Sequence, residues 1–342
     1  MIAMCGYHRH VRRSARHRVR VSWTVRAVVL LTLAILPETG RAGTAAVVFE
    51  NDRAAATDRH YTHGSLAVWT SAPGAVPDGL RDLGAAFPGL ATPPERVSYL
   101  LGQTMFTPDN ISAARLVEDD RPYAGWLYGG LRLTSEQPGA RQRLEINVGV
   151  VGPPSLADQT QTLVHRLIDV QVPNGWEHQL DTEPGLVAIY ERGWRRIEQT
   201  GIRGLEVAAT PHVGAALGNV FTLAAVGGRL AIGRNLDATW GPPRIFPGSR
   251  GSGYHDTRDT WHGSLFVGLE GRAVGRNIFL DGNTFSNSHS VSRNNVVGDI
   301  RAGLEIAHGP VRAAFTWVGR SREFEGQSEN DQFASMTVSV RF

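Results

Sequence analysis

Few stretches of this 342-residue chain bring reactive side chains together. Asn51-Asp52 sets an amide beside a carboxylate, and the hydroxyl of Thr62 follows shortly after. In 160–170, Leu163, Val164, Leu167 and Ile168 recur at helical spacing, and Gln161 and His165 stand four apart on one face of that helix. A neutral imidazole, with a pKa near ~6.5, can take up a proton at working pH, which is what a general base needs. Each group also has a structural reading. Asn51-Asp52 suits an ordinary turn, His165 can pack against a loop, His60 and His63 read as surface residues, and Asp120-Arg121 reads best as an ion pair anchoring a loop.

These groups need a frame, and the rest of the chain reads as strands. Met336, Val338, Val340 and Phe342 alternate with Ser335, Thr337, Ser339 and Arg341. Leu144, Ile146, Val148 and Val150 alternate with Arg143, Glu145, Asn147 and Gly149, and similar patterns run through 265–270, 296–306 and 311–317. One face is lipid-like and the other carries both signs of charge, as a membrane barrel requires. The pattern predicts an all-β fold, a twelve-stranded antiparallel transmembrane β-barrel with a short helix in an extracellular loop. Its strands are expected near 45–52, 61–71, 96–106, 124–135, 141–151, 185–197, 203–216, 220–233, 260–276, 290–308, 310–322 and 331–342. An even count places both ends in the periplasm, and the connections carrying Asp52, His165 and their neighbours outside. Two long connections, 73–95 and 234–259, fall on the periplasmic side against the usual rule, and 81–87 reads as a short helix within the first. Arg132, Arg143, Glu145, Glu270, Arg272, Asp299, Arg301, Glu305 and Arg312 are expected to pair within the lumen. Trp126, Tyr128 and Trp176 read as interface-belt aromatics.

Residues 1–42 read as a cleaved secretory signal: arginines, then an apolar segment at 27–36 too short to span a bilayer, then Pro37 and the small residues Gly40 and Ala42. The pI of 9.3 belongs to this leader. Without it the chain holds 27 basic and 31 acidic residues, a net charge of about −4, which removes the case for a nucleic-acid partner. All basic residues are arginine, and the single cysteine, Cys5, lies in the leader.

Eight blocks in order carry a family resemblance: Phe49-Glu50-Asn51-Asp52, Thr57-Asp58-Arg59-His60-Tyr61-Thr62-His63-Gly64, Asp120-Arg121-Pro122-Tyr123-Ala124-Gly125-Trp126, Gly149-Val150-Val151-Gly152-Pro153, Gln161-Thr162-Leu163-Val164-His165, Gly175-Trp176-Glu177-His178-Gln179-Leu180, Leu280-Asp281-Gly282-Asn283-Thr284-Phe285 and Glu323-Phe324-Glu325-Gly326-Gln327. Across residues 43–342 the chain resembles the lipid A 3′-O-deacylase (LpxR) family of outer-membrane barrels.

The resemblance implies a calcium-dependent ester hydrolase, somewhat like a secreted phospholipase A2, that acts on lipid A of lipopolysaccharide in the outer leaflet as an integral outer-membrane monomer. It implies His165 as general base, Asp52 as calcium ligand, and Asn51 and Thr62 as the polar cluster around it. Consistently, there is no G-x-S-x-G nucleophile elbow. The chain departs from the family pattern at Gln171, neutral where the pattern has an acid six residues after the histidine, with Glu177 and Asp169 as nearby carboxylates. A lysine expected after the third strand is replaced by Arg115, an alternative contact for a lipid A phosphate. The competing expectation is a non-enzymatic barrel, either a small channel or a structural lipid-binding protein.

Overall fold

The computed structural model describes residues 42–52, 60–245, 251–256 and 260–342. The leader expected at 1–42, apart from Ala42, and the Thr57-Asp58-Arg59 part of the second block lie outside the described residues. Thirteen strands follow in order: β1 (Gly43–Asn51), β2 (His60–Ser71), β3 (Arg96–Thr107), β4 (Ala124–Gln137), β5 (Ala140–Val151), β6 (Glu183–Trp194), β7 (Arg196–Gln199), β8 (Glu206–Gly218), β9 (Phe221–Arg234), β10 (His262–Asn277), β11 (Val296–His308), β12 (Val311–Arg320) and β13 (Asp331–Arg341). Twelve are staves of an antiparallel barrel; β7 is a four-residue continuation of β6 beyond Arg195 that pairs with β8. Pairing of β1 with β13 and of β6 with β8 closes the cylinder, so no sheet edge is left along its length. Among the described residues no helix is long and apolar enough to cross a membrane; the strands do so.

Strand alternation sorts the side chains as oil outside and charge inside. Ile146 and Val148, Leu265, Val267 and Leu269, Ile300, Leu304 and Ile306, and Met336, Val338 and Val340 are exposed on the outer wall. The lumen is packed with ion pairs: Arg132–Glu145 at 2.7 Å, Arg272–Asp299 at 2.8 Å, Arg312–Glu305 at 2.6 Å, Arg301–Glu270 at 3.6 Å, and Arg143–Glu191. Burying so many charges costs less than it would singly because each meets an opposite one.

Gly43, Phe342 and the tight turns at Gly139 and Gly309, both glycines with positive φ, lie at one rim, here the terminal rim. The end of β1, the start of β2 and the connections β3–β4, β5–β6, β10–β11 and β12–β13 lie at the other, the loop rim. The two long connections on the terminal side both have a structural use. One carries helix α1 (Asp78–Ala85), shifted a few residues from the expected 81–87. The other turns into the barrel: Arg143 and Arg312 donate to the carbonyls of Gly251 and Ser252, Arg244 pairs with Glu50 at 3.3 Å, and the Trp240 ring lies beneath the guanidinium groups of Arg141 and Arg195. This plug is why a connection of its length is not out of place on that side.

The expected aromatic belt is corrected. Trp126 and Tyr128 stack against each other inside the lumen, 4.1 Å between centroids, and Trp176 is buried in a loop cluster. Exposed aromatics on the outer wall near the terminal rim include Tyr99, Trp194 and Trp261. Strand parity decides between the two faces, and Trp126 and Tyr128 share parity with Arg132.

Candidate functional site

Asn51, Thr62 and the helix that carries His165 lie on the outer wall toward the loop rim. Asn51, last residue of β1, shares outward parity with Phe49, and its Nδ2 donates to the backbone carbonyl of Thr62 at 2.9 Å. A bulge in β2 between His60 and His63 inserts a residue against β3. Tyr61 therefore turns inward to donate to Glu50 at 2.8 Å, while Thr62 turns outward and its Oγ1 meets Oγ1 of Thr107 on β3 at 2.8 Å. Asp52, directly after β1, is buried.

Helix α2 (Ala157–Leu167) lies against the same outer wall over β3 and β4. Gly125 on β4 makes the approach possible, since a Cβ there would overlap Ser155 and Ala157. Gln103 of β3 donates to the carbonyl of Ser155 at 2.7 Å, and Met105, Tyr123, Ala157 and Trp176 form a buried cluster around the first turn. The buried helix residues are Ala157, Gln161 and His165, one every four positions, so a single stripe faces the protein. Gln161 Oε1 accepts from the Trp176 indole at 2.8 Å.

The end of α2 sets the imidazole. Asp169 takes a left-handed conformation (φ 55°), and the Val170 N–H bonds back to the His165 carbonyl, the pattern of a Schellman stop. That reversal returns the backbone carbonyl of Gln171 to the His165 ring, where it accepts from Nδ1 at 2.5 Å. A carbonyl can only accept, so Nδ1 carries the proton and the neutral ring keeps its lone pair on Nε2.

Beside this patch a buried latch ties the loop rim together. His60 Nδ1 meets Asp331 at 2.6 Å, and its Nε2 lies 3.6 Å from Asp120. Burial alone would push the Asp120 carboxyl up, but hydrogen bonds from His60 and from the Asp109 and Arg121 N–H groups hold it below the usual carboxylate range. The expected Asp120-Arg121 ion pair is not formed. Both residues anchor the β3–β4 connection through other partners, Arg121 pairing with Glu323 at 3.4 Å. His60, expected at the surface, is buried. Adjacent residues on an extended chain point apart, which is why neighbours in sequence do not pair here.

The structure thus brings Asn51 and Thr62 into direct contact and links them to α2 through Thr107, Met105 and Ala157. Thr107 and Met105 are about 7 Å apart along β3, and His165 lies about 12 Å along the helix axis from Ala157. Arg115 is exposed and makes no hydrogen bond or ion pair among the described residues. Its connection docks beside the turn after α2, where Asn174 N–H meets the Ile111 carbonyl at 2.9 Å and His178 Nε2 meets the Ala114 carbonyl at 3.0 Å. Thr107 carried no signal in the sequence, because only the bulge in β2 aims Thr62 at it.

The calcium ion implied by the resemblance can be tested against the donors present. Among the described residues no three His, Cys, Asp or Glu side chains come together as a metal cage. Glu177 is exposed with its carboxylate 3.5 Å from His178, and Asp169 is exposed on its turn. What remains is one buried carboxylate, Asp52, beside the Asn51 amide, whose Oδ1 is left over once Nδ2 has turned to Thr62. One carboxylate with neutral oxygens and water is an all-oxygen set that fits calcium and does not fit zinc.

Comparison with known proteins agrees with this architecture. The family described as Outer membrane protein LpxR matches residues 25–342. Among solved structures, LpxR from Salmonella typhimurium is 23% identical with a TM-score of 0.73, the match covering 87% of this chain and all of that one. The beta domain of the Bordetella autotransporter BrkA, at 10% identity and a TM-score of 0.42, covers 88% of this chain and all of its own. No curated protein sequence matches the chain.

Proposed function

Because the chain belongs to the LpxR family of outer-membrane proteins, we propose that it is a lipid A 3′-O-deacylase, a carboxylic ester hydrolase that releases the 3′-acyloxyacyl chain. The reading rests above all on the His165 ring: buried, carried by a helix on the outer wall, with Nδ1 committed to the Gln171 carbonyl.

In this reading the Nε2 lone pair of His165 takes a proton from water as the water oxygen bonds to the ester carbonyl carbon. The bond from that carbon to the sugar 3′ oxygen then breaks, and the leaving oxygen takes the proton from the imidazolium. The products are a free 3′-hydroxyl and an acyloxyacyl carboxylic acid. Asn51 and Thr62 orient the polar end of the substrate beside the ring. Asp52, with Asn51 Oδ1, would hold calcium, whose charge favours the negative charge that develops on the carbonyl oxygen. Arg115 would meet a phosphate of lipid A as a charge-assisted pair. The site faces the cell exterior, and the barrel works as a monomer. A channel is disfavoured by the plugged, ion-paired lumen.

The test is mass spectrometry of lipid A from a lipopolysaccharide-making host expressing the chain, with and without a calcium chelator. Loss of the 3′-linked chain is expected with the wild type and not with His165→Ala or Asp52→Ala, while all three show heat-modifiable barrel folding. An unchanged lipid A profile with folded, surface-located wild-type protein would leave the non-enzymatic barrel as the answer.

A further inference from the structure

Helix α2 is inside out for a helix in water. Its buried stripe carries Gln161 and His165, whereas Leu163 and Leu167 are 59% and 70% exposed, with Leu156 and Ile168 also open. At 100° per residue the exposed leucine pair lies about 160° around the helix from the Gln161–His165 pair. In water the leucines would be the buried stripe. The helix starts directly above the lipid-facing wall: Gln103, which holds Ser155, is followed two residues down β3 by Leu101, itself 54% exposed, and Val148 on β5 is 58% exposed. The leucine face therefore continues the apolar surface of the barrel. Arg166 stands next to that face, exposed and without a hydrogen bond or ion pair among the described residues.

We propose that the outer face of α2 is immersed in the outer leaflet, with Leu163 and Leu167 among lipid acyl chains and Arg166 reaching up to the phosphate-bearing head groups. Amphipathic interfacial helices take this posture, and a long arginine stem lets the charge stay at the head-group level while its carbons cover apolar surface. The consequence is that His165, on the face of the helix toward the barrel wall, sits at the depth of the outer leaflet, so an ester there reaches it from the side without passing through the lumen. Immersion does not depend on the site being hydrolytic, and it can be measured without any activity.

The experiment uses the full chain with Cys5→Ser, bearing a nitroxide at Leu163→Cys or Leu167→Cys, reconstituted in phosphatidylglycerol vesicles. Both positions are exposed, so the labels leave the packing intact. References are Val148→Cys on the wall and Glu118→Cys on the exposed β3–β4 connection. Collision with oxygen should exceed collision with a water-soluble nickel complex at both leucines, as at Val148 and opposite to Glu118. Adding Arg166→Glu should lower the oxygen-to-nickel ratio at Leu163 by about threefold or more, and an unchanged ratio would remove Arg166 from the proposal. Glu118-like values at both leucines would overturn immersion. Protection from both reagents would also overturn it, pointing to a second copy of the chain on this face.

Discussion

Nδ1 of His165 is held by the backbone carbonyl of Gln171, six residues further along, because Asp169 adopts a left-handed turn that folds the chain back over the end of α2. Position 171 is the one where the chain lacks an expected acid, yet the contact to the ring uses its main chain. A neutral side chain there is compatible with an oriented imidazole.

Backbone and side-chain roles at this turn separate by mutation. Gln171→Ala should leave deacylation within about twofold of wild type, since the carbonyl stays. Asp169→Val places a β-branched residue at positive φ, and a ring misplaced by even 1 Å can lose on the order of 100-fold in rate. Initial rates on purified lipopolysaccharide for both variants, with Asp169→Gly as the permissive control, decide this; equal losses in all three would refute it.

The seat of α2 on the wall is set by a missing side chain. Gly125→Val would drive a branched Cβ into Ser155 and Ala157 and lift the helix. Activity should fall by at least about tenfold, while the thermal transition of the barrel, carried by the ladder hydrogen bonds, should barely move. A coincident collapse of stability would show that α2 is integral to the barrel itself.

In the lumen, Arg312 and Glu305 are both fully buried and 2.6 Å apart. Arg312→Met leaves the carboxylate short of its main partner, and breaking such a pair from one side costs about 3–5 kcal/mol. Urea unfolding of the detergent-solubilised barrel should show a midpoint well below wild type, and the double variant with Glu305→Gln should recover part of the loss. No recovery would mean that the pair itself is not the source.

Acid should loosen the loop-rim latch. Asp120 has a folded-state value below the ordinary carboxylate range, so its contribution is fully present above the unfolded value of about 3.9. It is lost as pH falls through the depressed folded value. As pH falls below about 3.9 the wild type should lose more stability than Asp120→Asn, measured by urea midpoints at each pH. Parallel curves would place the acid sensitivity elsewhere.

The period-two alternation of residues such as Ile146 and Val148 against Glu145 and Asn147 was enough to specify a barrel with an apolar outside, because strand parity is a local property. The same local rule placed Gln161 and His165 on one helix face. It said nothing about which surroundings that face would meet. Leu163 and Leu167 recur at the helical spacing that a helix in water would bury, and the fold exposes them, because α2 sits on the outer wall of the barrel with Gln161 and His165 turned inward. The bulge that aims Thr62 at Thr107 depends on the register of β2 against β3. The entry of 235–245 and 251–256 into the lumen and the pairing of His60 with Asp331, 271 residues away in sequence, depend on closure of the cylinder. Only closure decides which distant strands become neighbours, and so which charges meet. Composition and spacing determined the chemistry available to this chain; tertiary structure decided where each group points, because burial is a property of the closed barrel and not of any segment.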